Sequence, residues 1–223
     1  MLESLLPNWG RASGEFFASI GQTLQMTFGS FVISFVLGIL FGVALVVLRK
    51  DGILENRVAY LILEFVINII RSTPFLILMV VLFPLTRMII GTTLGVRGAI
   101  VPLVFGTVPF FSRQVEVAVS EVDRGLIEAS TAMGLSITQI IFRVYLRESI
   151  PAIIRVTQVT VINLIGLTVI AGAVGAGGLG DFAIRFGLQR HMTDLMGISI
   201  LVILVLVALI QGLGNVFIKK TTH

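Results

Sequence analysis

Apolar runs dominate this chain from end to end. Between Phe16 and Leu48 there is no charged residue, a run longer than the roughly 20 apolar residues that cross hydrocarbon as a helix. Four further apolar stretches follow. The pattern therefore predicts an all-α membrane protein with five transmembrane helices, at about 16–48, 58–90, 98–119, 152–172 and 195–218, in a single domain over residues 1–223. The only long polar segment, 121–150, falls between the third and fourth helices. Ahead of the first span, Pro7, Gly10 and Gly14 argue against a long helix in residues 1–15, and Trp9 suits a membrane interface. Gly38 and Gly42 give the first span a small-xxx-small seam, expected to serve close packing within the chain.

The interruptions are as informative as the runs. Glu64, Arg71, Pro74, Pro84 and Arg87 break up the second span. A charge at mid-bilayer is expensive, so Arg71 is placed at the border, Pro74 to Phe83 crosses, and Arg87 snorkels outward. Glu64 and Arg71, seven residues apart, share a helix face and could pair. Pro74 frees a backbone carbonyl one turn earlier, which is tolerable only inside protein or beside water; this helix is expected to line a pathway. The uncharged core of the third span, Gly98 to Ser112, covers only about 22 Å and must extend past Arg113. The fourth span runs into Gly172–Gly180, where five glycines in nine residues end any stable helix. That run is no phosphate loop, because no Lys-Ser/Thr follows it and it emerges from a span. Residues 181–193 read as a polar outer loop.

Composition and charge narrow the class. With 56% hydrophobic and 13% charged residues and a mean hydropathy of +1.05, a soluble domain is excluded. The absence of cysteine removes disulfides, thiolate metal sites and cysteine nucleophiles. Met1 to Ile20, with Glu3 and Glu15, does not read as a cleavable signal. An outside N-terminus gives the cytoplasm Arg49, Lys50, Arg57, Arg113, Arg124, Arg143, Arg147, Arg155, Lys219 and Lys220. The exterior receives Arg11, Arg87, Arg97, Arg185 and Arg190. Ten against five sets the orientation: N-terminus out, C-terminus and the polar segment in the cytoplasm. The +4 net charge is thereby absorbed by the membrane, with no nucleic acid required.

The polar segment has its own local logic. Ser120 or Asp123 can cap a short helix through Leu126, Ile127, Ala129, Ser130 and Met133. Gly134 supplies the positive-φ stop. Ser136 with Gln139 forms a capping box for a second helix, whose Ile137, Ile140, Ile141 and Val144 fall on one apolar face.

Glu128-Ala129-Ser130, then Gly134, then an apolar helix closing at Pro151, resembles the coupling motif by which permeases of ABC importers dock on an ATPase. Arg71-Ser72-Thr73-Pro74 resembles the Arg-Ser/Gly-x-Pro signature of amino-acid importer permeases. With the glycine run in family order, residues 15–220 are similar to the permease of a methionine-type ABC importer. The resemblance implies the type I importer fold and a permease that forms the translocation pathway by alternating access. It also implies a homodimer, two separate ATPase subunits that bind the ATP and magnesium, an external substrate-binding lipoprotein and a bacterial inner membrane. It implies no cofactor, no metal and no catalytic residue in this chain. Glu128, Ala129, Ser130, Met133, Gly134, Ile137, Ile141 and Pro151 are then the ATPase-coupling residues. Arg71, Pro74, Leu167, Val169 and Ile170 are the pathway and gate residues. One departure stands out: where the family has a proline after Ile-x-Leu, this chain has Arg147 after Val144-Tyr145-Leu146, which should lengthen the second coupling helix slightly.

Two other classes compete. An ion-driven secondary transporter or channel needs membrane-buried titratable groups, and only Glu64 and Arg71 qualify. An intramembrane hydrolase needs a nucleophile with a base or metal ligands; His191 lies in the outer loop and His223 ends the sequence, so no such pair forms. Cargo selectivity can reside in the external binding protein and is not written in this chain.

Overall fold

The structure, a computed structural model, describes residues 7–221, with only the backbone of Arg11, Lys220 and Thr221. Glu3, His223 and the side chain of Lys220 lie outside the described residues. Among the described residues every regular element is helical. Four helices are long and apolar enough to cross a membrane, and a bent pair is a fifth crossing or a re-entrant loop.

Helix α1 spans Trp9–Leu48, so the expectation that residues 1–15 avoid a long helix is corrected. Two glycines inside a helix cost about 1 kcal/mol each, and tertiary contacts offset this. Trp9 meets Phe16 and Phe17 edge-on at 5.2 and 5.9 Å, Phe16 meets Phe182 at 5.3 Å, and Asn8 donates to Asp194 through its backbone N and Nδ2 at 3.1 and 3.0 Å.

The second apolar stretch is three helices rather than one: α2 (Arg57–Ser72), α3 (Phe75–Val81) and α4 (Phe83–Ile90). The chain bends by 107° between α2 and α3. Pro74 has no N–H to continue a ladder and disfavours the helical region for the residue before it; at φ −55, ψ 132 it caps α3 instead. Helix α5 (Gly95–Ser120) runs past Arg113. The polar segment follows as α6 (Arg124–Ala132) and α7 (residues 137–148), then α8 (Ile150–Ala171).

The glycine run does break the helix: Val174 and Gly175 leave helical geometry, and Gly175, Gly177 and Gly178 have positive φ. The expected outer loop after it is helical instead, as α9 (Gly178–Phe182) continuing in wider π turns to Gln189. The reason is an amphipathic pair of stripes. Phe182 and Phe186 stack at 4.6 Å on the buried side, while Arg185 binds Asp181 at 2.9 Å and Glu15 at 3.1 Å on the other. Helix α10 (Thr193–Thr221) ends the described chain.

The residues form two compact units. One comprises the described part of Met1–Val32 with Thr73–Gly106 and Val161–Gln211. Its core holds Met26, Met79, Leu103 and Leu164, with a second cluster around Phe16, Leu179 and Phe182. Here Gln22 Oε1 and Thr23 Oγ1 accept from the backbone N–H groups of Gly178 and Leu179, at 2.7 and 2.9 Å. They satisfy donors at the start of α9 that no helical carbonyl can reach. The other unit comprises Ile33–Ser72, Thr107–Thr160 and the described part of Gly212–His223. Its core joins Val43, Val46 and Val47 to Phe111 and Val115 and to Ile140, Val144 and Tyr145. Gly38 and Gly42 lie directly against Phe111 and Val115, where a Cβ would overlap; the seam serves packing within the chain.

Candidate functional site

The polar segment folds into a knob in the second unit. Asp123 is the cap of α6: its Oδ1 accepts from the Leu126 N–H at 3.2 Å, whereas Ser120 accepts from Arg49 Nη1 at 2.9 Å. Gly134, at φ +79, turns the chain so that its N–H reaches Thr131 O at 3.0 Å and the Leu135 N–H reaches Ser130 O at 3.2 Å. Ser136 and Gln139 form the reciprocal capping box that starts α7. Both ends of the turn are therefore closed by hydrogen bonds within the segment, which fixes its shape before any partner arrives.

Beyond Gln139, α7 widens into π turns over Ile140–Tyr145. The extra residue per turn changes which side chains face inward. Ile140, Val144 and Tyr145 are buried and Ile141 packs beside them, while Ile137 is 43% exposed. The expected face of four therefore loses Ile137 and gains Tyr145. Burial pushes the Tyr145 phenol above its ordinary pKa, against the pull of Arg49 and Arg124. Pro151 is the second residue of α8, a position where its missing N–H costs nothing.

The proposed coupling residues come together on this knob. Glu128, Ala129, Met133 and Gly134 are exposed, and Ser130 is buried with its Oγ bonded to Leu126 O at 2.7 Å. Glu128 borders a cleft of about 450 Å³ together with Asp51, Ile53 and Ile127. Pro151 borders another of about 300 Å³, shared with Glu121, Asp123, Glu148 and Arg155. Leu126, Met133, Ile137 and Phe142 are exposed apolar side chains on the same segment. A preformed helical knob that is greasy at its tip, with the Glu128 carboxylate exposed among the apolar side chains, suits insertion into a groove of another protein.

The pathway candidates are more dispersed. Arg71 and Pro74 flank the 107° bend, both exposed. Leu167 packs into the first unit's core. Val169 is half-buried, with Gly180 against its backbone, and Ile170 faces outward at 39% exposure.

A polar network that the sequence reading missed lies in the second unit. The Glu64–Arg71 pair that the spacing allows is not the one formed. Glu64 Oε1 binds Arg113 Nη2 at 3.1 Å instead, Arg113 Nη1 binds Glu116 Oε2 at 2.7 Å, and Arg113 Nη2 also donates to Asn68 Oδ1 at 3.1 Å. Tyr60 OH donates to Glu64 at 3.3 Å. The available signal was the stripe Tyr60, Glu64, Asn68 at i, i+4, i+8 on α2, with Arg113 and Glu116 at i, i+3 on α5.

Known proteins share this architecture. The family described as "Binding-protein-dependent transport system inner membrane component" matches residues 34–217. A probable D-methionine transport system permease protein MetI of Vibrio cholerae is 42% identical over 202 residues, covering 91% of this chain and 90% of that protein. The methionine import system permease protein MetP of Bacillus subtilis is 42% identical over 166 residues, covering 74% and 75%. Among solved structures, a chain of the MetNI methionine ABC transporter in an inward-facing conformation superposes with a TM-score of 0.93 at 39% identity, covering 96% of this chain and 99% of that one. A chain of an amino acid ABC transporter crystallised with histidines superposes at 0.79 over 96% and 98%, and at 18% identity it shows the shared fold alone.

Proposed function

Since this chain belongs to the family of inner-membrane components of binding-protein-dependent transport systems, we propose that it is the permease subunit of an ATP-driven methionine importer. Two copies form the translocation pathway, two ATPase subunits dock on the knobs, and an external binding protein delivers the amino acid. The relatives named for methionine transport, similar over most of their length, support this cargo. The ten-to-five distribution of basic residues supports an outside N-terminus and a cytoplasmic knob. ATP and magnesium are held by the ATPase chain, and this chain is not catalytic.

The observation that carries the coupling assignment is the preformed knob, capped at Asp123, turned at Gly134 and capped again at Ser136, with Glu128, Met133 and Ile137 exposed on it. In the mechanism, ATP binding closes the ATPase dimer and draws the two knobs together. The attached helices move as rigid bodies and open the pathway outward. To invert the balance of inward and outward states, ATP must favour the outward one by about 5.5 kcal/mol. We place the gate at Leu167, Val169 and Ile170, where α8 reaches the broken glycine run, and the pathway wall at Arg71 and Pro74.

The test is co-purification of the cognate ATPase with the wild-type permease and with a Glu128→Lys, Gly134→Trp double variant. Capture by wild type that the double change abolishes supports the reading. No capture by wild type overturns it and favours an ion-driven transporter, against which the pairing of Glu64 with Arg113 already weighs.

A further inference from the structure

A helix that restarts after a break needs acceptors for its first N–H groups, and these usually come from the residue just ahead of it. At the glycine break they do not. The residue ahead of α9 is Gly177, which has no side chain to offer, and no side-chain cap forms there. The acceptors come from 156 residues away in sequence: Gln22 Oε1 takes the Gly178 N–H at 2.7 Å, and Thr23 Oγ1 takes the Leu179 N–H at 2.9 Å. Thr23, Gly178 and Leu179 are all buried. The Thr23 hydroxyl donates its own hydrogen to Ser19 O at 3.0 Å, which leaves its lone pairs for Leu179.

These two bonds close the deep end of a polar seam along α1. Asn8, Glu15 and Gln22 follow one another at heptad spacing and bond in reverse order to Asp194, Arg185 and Gly178. The Glu15–Arg185 pair is about half exposed and holds weakly, so the hold falls on Gln22 and Thr23. What they hold is the end of α8. Past Gly178 the chain lies back on that helix: Gly180 sits against the backbone of Val169, and Gly172 against Gly177, Gly180 and Asp181, so closely that a Cβ on either would overlap. A position set at Gly178 and Leu179 is therefore passed to Val169 by backbone packed on backbone, with no side chain between them to yield. The helix that supplies the acceptors also carries Val43, Val46 and Val47, against which the knob is packed.

We propose that Gln22 and Thr23 are positioning residues for the gate. By capping the break from α1 they make the end of α8 follow that helix, whereas a local cap would let it flex alone. The proposal rests on the placing of the gate at Leu167, Val169 and Ile170 and adds to it the latch that moves it.

The experiment uses the complete transporter, permease with ATPase, in nanodiscs. The chain has no cysteine, and Ile170 is 39% exposed, so Ile170→Cys introduces a single permease thiol. Its rate of reaction with N-ethylmaleimide is read by mass spectrometry of the permease, with and without ATP and vanadate. In this background nucleotide should change the rate severalfold, because it inverts the balance of states. Adding Thr23→Val, which keeps the shape and loses the acceptor, should remove most of that change. It should also speed hydrogen exchange over Gly178–Phe182 about tenfold, the effect of one lost buried hydrogen bond. Thr23→Ser, which keeps the hydroxyl, should restore both. Gln22→Met, at the less buried acceptor, gives the same reading if Thr23→Val does not assemble with the ATPase. Faster exchange with an unchanged nucleotide response overturns the latch and leaves the gate standing. So does a Thr23→Ser permease that behaves as Thr23→Val, since the hydroxyl would then not be what matters. A thiol at position 170 that ignores nucleotide when Gln22 and Thr23 are intact overturns the gate, and the latch with it.

Discussion

Replacing Gly134 by valine tests whether the knob's geometry, rather than its composition, recruits the ATPase. Nothing lies within 4 Å of a Cβ built at Gly134, so space is not the constraint. The constraint is φ of +79. A β-branched residue held there costs about 1–2 kcal/mol. Relaxing to negative φ instead breaks the Gly134–Thr131 and Leu135–Ser130 backbone bonds of 3.0 and 3.2 Å, about 1 kcal/mol each. By either route the docking-competent geometry loses about 1–2 kcal/mol, a roughly five- to thirtyfold drop in its relative population. The apparent dissociation constant for the ATPase rises by up to the same factor, because only the competent fraction binds. The assay titrates purified ATPase onto nanodisc-embedded permease, with Gly134→Asn as control, since asparagine tolerates the left-handed region. Valine should weaken binding about tenfold and asparagine about twofold or less. Valine that binds as wild type, or asparagine as weak as valine, would refute the reasoning.

Three other expectations follow from the same geometry. Asp123→Ala should destabilise α6 by about 1 kcal/mol through loss of the cap, read as faster hydrogen exchange over Arg124–Ala132; Asp123→Ser should restore protection. Gly178→Ala should lower the melting temperature more than Gly134→Ala, because Gly178 combines φ of +81 with a Cβ position that overlaps Thr23 Oγ1 and Met26 Cε, whereas Gly134 has only the dihedral. Arg113→Lys should destabilise the permease by roughly 1–3 kcal/mol, since an ammonium cannot reproduce the fork that reaches Glu64, Asn68 and Glu116 together; a melting temperature equal to wild type would show the network to be dispensable.

Features settled within a few residues of chain were legible in the sequence. The Ser136–Gln139 box depends on residues three apart, Gly134 on its own dihedral, and the long spans on their length. Features that depend on register between distant helices were not. The partner of Glu64 is 49 residues away, and which α5 residue faces it is set by the packing of Gly38 and Gly42 on Phe111 and Val115. Helix α1 starts early for the same kind of reason: local glycine propensity is outweighed by Phe182, which is remote in sequence. The segment after the glycine run was misread although its signal was present. Phe182 and Phe186 are four apart, and so are Asp181 and Arg185; a loop would need neither periodicity. In the second span Pro74 announced a break, but the 107° turn also requires the chain to restart as α3 and again as α4.

The knob can transmit force only if it is anchored more firmly than the load it carries. Ile127, Ile140 and Val144 are 8%, 2% and 7% exposed, buried against Val43, Val46, Val47 and Val115 of α1 and α5. Each such side chain contributes about 1.5–3 kcal/mol, so the three together hold the knob with roughly 5–9 kcal/mol, before Tyr145 and Ile153 add to the same cluster. Inverting the transporter from mostly inward to mostly outward requires about 5.5 kcal/mol. With Tyr145 and Ile153 added, the anchor exceeds the load, and pulling on Glu128 and Met133 moves α1 and α5 before it peels α6 and α7 away. Truncating the anchor rather than the tip should then give a different phenotype. Ile140→Ala, losing about 2–5 kcal/mol, should leave ATPase binding at the exposed tip largely intact while uptake per ATP hydrolysed falls. Equal losses of binding and uptake would mean that the tip and its anchor are one structural element, with no separate transmission step.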